Sequence, residues 1–278
     1  MTDSFENIEF TYDSKKRKHP AIEELVDVIQ SRDMVFQFVR RDIVARYKRS
    51  VLGIFWTMLQ PLGMMIVMTI VFSALFKRVE GYAAYLLSGL IAWLFFSQAT
   101  TASLQLIVSS GTLSRKIYIP YTALPISSTF TGMVNLAISM IPLAIITIVV
   151  KGNITWAILF IPISILIISA FALGISLFLS AFAVYFPDIK EMYQIILQAW
   201  MYFTPIIYPE TIVPESYRFW IFHLNPMYYM ITLFRDPVYN GSLPAAHIAI
   251  EGSIIALITL AAGWIYFSVQ SDTFAYKA

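Results

Sequence analysis

Six long apolar runs, nearly free of charged residues, set the strongest limit on what this chain can fold into. They cover about residues 53–76, 82–108, 122–150, 154–184, 190–208 and 247–269. The first four runs and residues 192–208 of the fifth contain no Asp, Glu, Lys, Arg or His. About 20 predominantly apolar residues form a helix that crosses the roughly 30 Å hydrocarbon core of a bilayer. The sequence therefore predicts an all-α membrane protein with six transmembrane helices in a single transmembrane domain, residues 51–270.

The region between the fifth and sixth spans, 209–246, is predicted to form outer re-entrant helices. Its apolar stretch 219–234 is too short to cross and holds His223, Asn225 and Pro226 near its middle. Irregular backbone at membrane depth is tolerated only where it is buried against protein or lines a wet cavity. We therefore expect this region to pack on the helix bundle.

The positions of the basic residues predict the orientation. Residues 1–52 hold ten of the nineteen Lys and Arg. With the N-terminus in the cytoplasm, fourteen basic residues lie inside and five outside, which agrees with the positive-inside rule. Six spans return the tail, 271–278, to the cytoplasm. A seventh span would place that tail outside, and its single Lys277 does not exclude this alternative.

Residues 31–50 are predicted to form an amphipathic helix that lies in the membrane interface. Five apolar residues recur there at helical spacing, namely Met34, Val35, Phe38, Val39 and Ile43. The face assigned to the interface and its partners carries Arg40, Arg41, Arg46, Tyr47, Lys48 and Arg49. Such a helix lies in the interface plane or packs on a soluble partner, and both readings can hold together. We assign no function to the cytoplasmic extension, residues 1–30.

The scarcity of reactive side chains argues against an enzyme. There is no Cys, so thiol chemistry and thiolate metal sites are excluded. The three His are far apart, and none has the spacing of a metal motif. None of the nine Lys precedes Ser or Thr, so a phosphate-binding Walker A loop is missing. We expect no catalytic group, no metal site and no cofactor on this chain, and any ATP hydrolysis must occur on a separate partner.

Apart from Glu191 at the first turn of the fifth span, one acidic residue, Glu251, lies inside a predicted span. An ionisable residue within the membrane is by default a functional candidate. Because Glu251 lies about one turn from the entrance of the sixth span, we favour a structural role in which it reaches the headgroups or pairs with Arg218 or Arg235.

The short connection 109–120 is basic and amphipathic, and a membrane helix follows it at once. A helix here would be joined directly to the second and third spans, so a force on it would be transmitted to both of them. The pattern is equally compatible with an ordinary inside loop whose Arg115 and Lys116 fix the topology.

Four segments, in order, resemble the type-2 ABC transporter permeases that export polysaccharides such as O-antigen, capsule and teichoic acid. They are Arg46–Gly53 continuing through Trp56 to Gln60-Pro61, then Leu113–Pro120 with Leu124-Pro125, then Asp188 with Thr204–Pro209, and last Asn225-Pro226 with Phe234–Asp236. The resemblance covers about residues 34 to 270. Tyr121 and Pro187 depart from the family pattern, where Arg is common.

The resemblance implies a homodimer of this permease with two copies of a cytoplasmic ABC ATPase, which holds the ATP and Mg. The coupling helix that enters the ATPase would contain Leu113, Ser114, Arg115, Lys116, Ile117, Tyr118 and Pro120. An outer gate would contain Pro205, Pro209, Asn225, Pro226 and Arg235. The membrane would be the bacterial plasma (inner) membrane.

Aromatic residues make up 15% of the chain and suggest a lining on which sugar rings could stack. The candidate glycan pathway is Trp56, Tyr193, Trp200, Tyr202 and Phe203. Each of these residues could instead fill helix packing or sit in an interfacial aromatic belt.

The expected function is a permease subunit of an ATP-driven exporter that moves a lipid-linked polysaccharide out of the cytoplasm. A type-2 permease for a drug or lipid is the alternative. A membrane-embedded glycan-processing enzyme is a distant third, because the spans contain so few ionisable groups.

Overall fold

The computed structural model describes residues 20–48, 50–110, 121–152, 155–186 and 188–277, and the regular structure within these ranges is helical. The main helices are α1 (Pro20–Gln30), α2 (Arg32–Tyr47), α3 (Phe55–Phe72), α4 (Tyr82–Ser110), α5 (Ala123–Lys151), α6 (Ile161–Tyr185), α7 (Ile189–Phe203), α8 (Glu215–Arg218), α9 (Pro226–Arg235) and α10 (Ala246–Lys277). The predicted all-α class is confirmed. The coupling residues Leu113, Ser114, Arg115, Lys116, Ile117, Tyr118 and Pro120, and also Arg49, lie outside the described ranges.

Five helical segments in the described ranges are long and apolar enough to cross a membrane: Phe55–Phe72, Tyr82–Ile107, Ala123–Val150, Trp156–Tyr185 and Ala246–Ser271. They correspond to the predicted spans one to four and six. The predicted fifth span, 190–208, is instead the 15-residue helix α7, about 22 Å long at 1.5 Å per residue. Its crossing stays a prediction.

The helix α4 forms the centre of the bundle. Its most apolar stretch is 61% buried, against 11% for α3. The side chains of Leu86, Leu87, Leu90 and Phe96 on α4 are almost fully enclosed, and α5, α6, α9 and α3 pack around them. The low burial of α3 leaves most of its apolar surface facing away from the chain.

Close packing joins α6 to α10. A Cβ added to Gly174 would lie 2.5 Å from the backbone of Thr259, and one added to Gly263 would overlap the Gly174 carbonyl. Small residues of this kind let membrane helices approach closely enough for extensive van der Waals contact. The α6–α10 pair therefore forms a firm wall behind α4.

The helix predicted over residues 31–50 corresponds to α2, which packs on α5, and its place in the membrane interface stays a prediction. All five apolar residues of its predicted pattern, from Met34 to Ile43, are buried or half-buried. The preceding extension contains a helix that the sequence argument did not assign, α1. Trp264 Nε1 donates to the Ala21 carbonyl at 3.0 Å, and Thr122 Oγ1 donates to Glu24 at 2.7 Å, so α1 is fixed to α10 and to the start of α5.

Residues 204–241, called the cap from here on, fold back over one end of the bundle. Helix α7 ends at Phe203 because Thr204 is extended and the residue before a proline is disfavoured in the α region. After α8, the chain makes a π-helical turn at Phe219–His223, then forms α9 and a second π-helical turn at Asp236–Asn240. Helix α9 packs on α4, α10 and α6, so the expectation that this region packs on the bundle is confirmed.

Candidate functional site

A buried arginine holds the cap together. Arg235 is 5% exposed, and its Nη1 donates to the Pro205 carbonyl at 2.9 Å and to Tyr85 Oη at 3.0 Å. Its Nη2 donates to the Ile206 carbonyl at 3.3 Å, and the guanidinium lies over the Tyr85 ring, 4.0 Å from the centroid. A Cβ on Gly89 would overlap the guanidinium. Arg235 therefore satisfies carbonyls that the end of α7 leaves free and also ties them to α4.

Asn225 is a second junction within the cap. Its Oδ1 accepts from Trp200 Nε1 at 2.8 Å and from the Met227 amide at 3.1 Å, while its Nδ2 donates to Thr204 Oγ1 at 3.0 Å. The contact with Met227 caps the N-terminus of α9, where an asparagine is a preferred residue. One side chain therefore connects the end of α7 to the start of α9.

Two tyrosine hydroxyls complete the attachment of the cap to α4 and the loop before it. Tyr82 Oη donates to the Ile207 carbonyl at 2.7 Å. Tyr239 Oη donates to the Glu80 carbonyl at 2.5 Å. Because a buried carbonyl without a partner is costly, these hydroxyls allow irregular backbone to exist next to the bundle.

The cap also contains a titratable group, Asp236. Burial raises the pKa of its carboxyl, while the hydrogen bond from Asn240 Nδ2, at 2.7 Å, and the charge of Arg235 lower it in part. The charged form of Asp236 is thus disfavoured in the folded protein relative to a solvated aspartate.

A groove runs along α4 between α2, α3 and α5. It consists of two adjoining cavities of about 410 and 340 Å³, and both are lined by Arg46, Gln98 and Asn135. Along α4 the lining extends from Ile91 to Leu106, or about 22 Å at the rise of an α-helix. The smaller cavity lies beside α2, and the larger lies beside α3.

Uncharged polar side chains line this groove within otherwise apolar helices. We call it the amide groove after Gln60, Gln98, Gln105 and Asn135; its lining also includes Ser128, Thr131 and Ser139, with Asp42 and Arg46 at the α2 end. Gln98 Nε2 donates to Gln60 Oε1 at 3.0 Å and thereby joins α4 to α3. These side chains offer both donors and acceptors without a fixed charge.

One hydroxyl in the groove has no partner among the described residues. Thr131 is 6% exposed, lines the cavity beside α2, and its Oγ1 makes no hydrogen bond there. A buried hydroxyl that is left unpaired costs about 1–3 kcal/mol. The neighbouring Ser128 and Thr129 instead donate to the Pro125 carbonyl at 2.9 Å each. Thr131 is therefore a polar residue of the groove whose hydroxyl has no hydrogen-bond partner among the described residues.

A tight elbow positions Arg46 beside Trp56. Gly53 has φ of +51°, a left-handed conformation that glycine adopts at little cost, and its amide donates to Ser50 Oγ at 3.1 Å. The elbow turns the chain from α2 into α3. As a result Arg46 at the end of α2 and Trp56 at the start of α3 line the same cavity.

The five residues of the predicted aromatic pathway lie in two different environments, exposed and buried. Trp56 is 56% exposed and lines the amide groove, while Tyr202 and Phe203 are exposed at the end of α7. Tyr193 is buried and donates to Thr100 Oγ1 at 2.9 Å. Trp200 packs its ring against Trp93 and Phe96. Tyr193 and Trp200 therefore have structural contacts in the core and do not line an open surface of this chain.

The predicted gate and interfacial residues are also placed. Pro205, Asn225, Pro226 and Arg235 come together in the cap, and Pro209 lies half-buried in the same segment. On α2, Arg40, Arg41 and Arg46 are exposed, as is Lys48 directly after the helix, and Arg41 pairs with Asp42 at 3.0 Å. Glu251 is exposed and lies beside Tyr229, whereas Arg235 binds carbonyls and Arg218 Nε donates to the Val213 carbonyl at 3.2 Å. The described residues therefore show no arginine pair for Glu251, and its expected contact with the headgroups stays a prediction.

Several residues of the two sites were not predicted. Tyr85, Gln98, Gln105, Thr131 and Asn135 were passed over as scattered polar residues within spans. A usable signal existed, because Gln98 and Gln105 are seven residues apart and Thr131 and Asn135 are four apart. Such spacings place side chains on one helix face, and a polar face in a charge-free span indicates a site.

The fold and these two sites define a multi-pass membrane protein with an internal polar groove. The chain belongs to the ABC-2 type transporter family, whose model matches residues 34–239, so the family resemblance of the sequence is confirmed. Among its relatives, the O-antigen export system permease protein RfbA of Myxococcus xanthus is 29% identical over 90% of this chain and 96% of its own. RfbA of Klebsiella pneumoniae is 27% identical, over 82% and 90%. The polysialic acid transport protein KpsM of Escherichia coli is 21% identical, over 84% and 91%.

Proposed function

We propose that this chain is the permease subunit of an ATP-driven exporter that moves a lipid-linked polysaccharide, of O-antigen, capsular or teichoic-acid type, out of the cytoplasm. Its family and the names of its relatives support this function. The observation that carries it is the amide groove, in which amides and hydroxyls line about 22 Å of α4. Sugar hydroxyls are donors and acceptors, so an uncharged polar lining can pair with them without trapping them.

The chain crosses the bacterial plasma (inner) membrane six times in this proposal, with both termini in the cytoplasm. The fifth crossing begins with α7, about 22 Å long, and continues into the turns and bends of residues 204–208. Together these two parts cross the roughly 30 Å hydrocarbon core in this proposal. Arg235, Tyr82 and Tyr85 pair the carbonyls of the non-helical part, as backbone at membrane depth requires. The end of α2 and the adjoining end of the groove then face the cytoplasm.

Two copies form the pathway, because a single chain leaves one side of α4 open between α3 and α7. That side carries Ser97 and Thr101, both half-buried, and Gln105, which is exposed. Helix α3 is only 11% buried, and Trp56, Tyr202 and Phe203 are exposed near this opening. A second copy that covers α3 and α7 would enclose the polar side of α4 as a conduit.

Two copies of a separate ATPase, with ATP and Mg, supply the energy in this proposal. They dock on the exposed residues Arg40 and Arg41 of α2 and on the coupling segment 109–120. Substituting Ile117 and Tyr118 by Ala would abolish both export and substrate-stimulated ATP hydrolysis, while R32Q, at the distant end of α2, would retain both. Full export by the doubly substituted permease would remove the coupling role.

The substrate is tested with the purified permease–ATPase complex in vesicles. Lipid-linked O-polysaccharide should stimulate ATP hydrolysis and appear on the outer side of the vesicles. Stimulation by phospholipid or by hydrophobic drugs in place of the glycan would overturn the proposal and select the alternative permease function.

A further inference from the structure

The cavity beside α2, about 340 Å³, differs from the rest of the amide groove in its charge. It lies among Asp42, Ala45 and Arg46 of α2, residues 98–106 of α4 and residues 128–135 of α5. Its volume is at the lower end of small-molecule sites, which span about 300–1,000 Å³. It is therefore large enough for a compact polar head but too small for a polysaccharide segment.

An unpaired cation stands at this cavity. Arg46 is exposed and lines both cavities of the groove, and no carboxylate of the described residues lies within salt-bridge distance of it. The nearby acid, Asp42, accepts from Arg41 Nε at 3.1 Å and from Nη2 at 3.0 Å. Because Arg41 neutralises Asp42, Arg46 leaves a net positive charge at the mouth. A guanidinium fork is the side chain best matched to a phosphate.

The deeper wall of the cavity is suited to a sugar. Thr131 Oγ1 is buried, points to no partner among the described residues and lines the cavity. Gln98, Gln105 and Ser128 lie on the same wall, and the small residues Ala99, Ala102 and Gly132 leave room between them. The cation, the unpaired hydroxyl and the amides thus line one cavity.

We infer that this cavity binds the phosphate of a lipid-linked saccharide at Arg46 and the sugar next to that phosphate at Thr131. The inference rests on the proposed function and assigns the recognised chemistry, a sugar phosphate, to one place in the fold. The linking lipid, isoprenoid or phospholipid, would remain in the bilayer beside α3 and α5. A ligand in this position would touch α2, α4 and α5 together, so occupancy would be felt by the helix that faces the ATPase.

The test measures binding to the complete permease–ATPase complex in phosphatidylcholine nanodiscs. The main probe is a disaccharide linked to a short-chain isoprenyl diphosphate. Three comparison probes are the same disaccharide on an uncharged octyl chain, the isoprenyl diphosphate without sugar, and a disaccharide linked to a phospholipid. Phosphatidylglycerol, added to the nanodiscs, tests whether any anionic lipid competes.

Two variants separate the two halves of the ligand. R46Q should weaken the phosphate-bearing probes about tenfold, as expected for one charge-assisted contact, and leave the uncharged probe unchanged. T131V should weaken only the sugar-bearing probes, by about three- to tenfold. The matched controls are R32Q, at the other end of α2, and T129V, whose hydroxyl bonds within α5; both should bind within about twofold of the wild type.

Wild-type affinity of R46Q and T131V would overturn the inference, and so would equal binding of the charged and uncharged probes. Full competition by phosphatidylglycerol would show an anionic-lipid site and overturn the sugar part. Two probes carry a lipid-linked disaccharide, one on isoprenyl diphosphate and one on phospholipid. The probe that binds more tightly identifies the lipid of the natural substrate. If the variants bind normally while the wild-type complex still exports glycan, the inference about Arg46 and Thr131 is wrong but the proposed export function stands. If the wild-type complex neither exports glycan nor is stimulated by it, the proposed function fails.

Discussion

The cap and the amide groove solve the problem of polar groups in a membrane protein in opposite ways. In the cap, Arg235, Tyr82 and Tyr239 bind backbone carbonyls at 2.5–3.3 Å, and Asn225 binds Trp200, Thr204 and the Met227 amide at 2.8–3.1 Å. Of these cap groups, Arg235 Nε alone has no partner among the described residues. In the groove, about 750 Å³ of cavity remains in its two sections together, and Thr131 has no partner among the described residues. Satisfied polar groups fix a structure, whereas polar groups left open beside a cavity can receive a ligand.

The difference originates in the backbone. Helix α7 stops at Phe203, and the carbonyls after it need donors, which long or aromatic polar side chains supply from α4 and α9. The groove is formed mainly by helical backbone that is paired within each helix. The exception is at Pro61 inside α3, where the Thr57 carbonyl accepts from Ser139 Oγ at 3.4 Å. Thr131 has no such structural partner among the described residues, so its hydroxyl can serve a purpose other than completing the fold.

The largest expected effect is the loss of Arg235. R235A leaves the buried Ile206 carbonyl without its donor and the Pro205 carbonyl with only Tyr85 Oη, at 3.3 Å. An unpaired buried group costs about 1–3 kcal/mol, and the lost contact of the guanidinium with the Tyr85 ring costs about 1–2 kcal/mol more, so we expect a loss of about 2–5 kcal/mol. The unfolding temperature and the yield of monodisperse protein in detergent measure it. R235K keeps the charge but not the planar fork and should fall between R235A and the wild type. Wild-type stability of R235A would show that the cap does not depend on this side chain.

Asn225 should have the second-largest effect. N225A removes the cap of α9 and the partners of Trp200 and Thr204, for an expected loss of about 1–3 kcal/mol. N225D retains the acceptor for Met227 and Trp200 and should recover part of this stability. The same thermal unfolding measurement applies, and equal stability of N225A and N225D would contradict the capping role.

Substitution of Gly53, in the elbow between α2 and α3, should lower stability less than substitution of Arg235 or Asn225. G53A places a Cβ at φ of +51°, which costs about 1–2 kcal/mol for an L-residue; no atom lies within 4 Å of that Cβ, so no clash adds to it. G53N is the matched control, because asparagine tolerates the left-handed region. We expect G53A to lower the unfolding temperature and export together and G53N to retain most of both. If the two variants are equally impaired, the backbone conformation is not the cause.

The sequence predicted the fold better where the helices are uninterrupted than where they break. The predicted spans 82–108 and 122–150 agree closely with α4 and α5, because apolar length alone specifies a continuous membrane helix. The fifth span was set at 190–208, but α7 ends at Phe203. Apolar residues continue to Tyr208, so hydropathy could not show that the backbone changes conformation at Thr204.

The site was predicted less well, because its contacts join distant parts of the chain. Tyr193 reaches Thr100, and Trp200 reaches Asn225; without these long-range partners, both aromatics could be assigned to a pathway. The cap residues Arg235 and Asn225 were identified from the family resemblance and not from local pattern. Thr131 could not be singled out, since an unpaired hydroxyl becomes evident only when the neighbouring helices are in place.

Thr131 provides the direct contrast with the cap. T131V removes a hydroxyl that has no partner among the described residues and preserves the shape of the side chain, so its stability should change by less than about 1 kcal/mol in either direction. Export of glycan should nevertheless fall, because the open hydroxyl is the one we assign to the substrate. Unfolding temperature and surface glycan are measured on the same cells. A variant that is destabilised as strongly as N225A would place Thr131 with the structural groups of the cap.

The smallest expected effect concerns Asp236 and its pH dependence. Burial raises the pKa of this carboxyl in the folded protein, so its contribution to stability is present at low pH and is lost as the pH rises through the raised value. D236N removes the titration and can still accept from Asn240. As the pH rises from below the ordinary aspartate pKa of 3.8 to neutral, the wild type should therefore lose stability relative to D236N. The measurement is the difference in unfolding temperature between the two proteins at each pH. A difference that grows in favour of the wild type as the pH rises would mean that Arg235 outweighs burial, and that the cap contains an ion pair in place of an arginine committed to carbonyls.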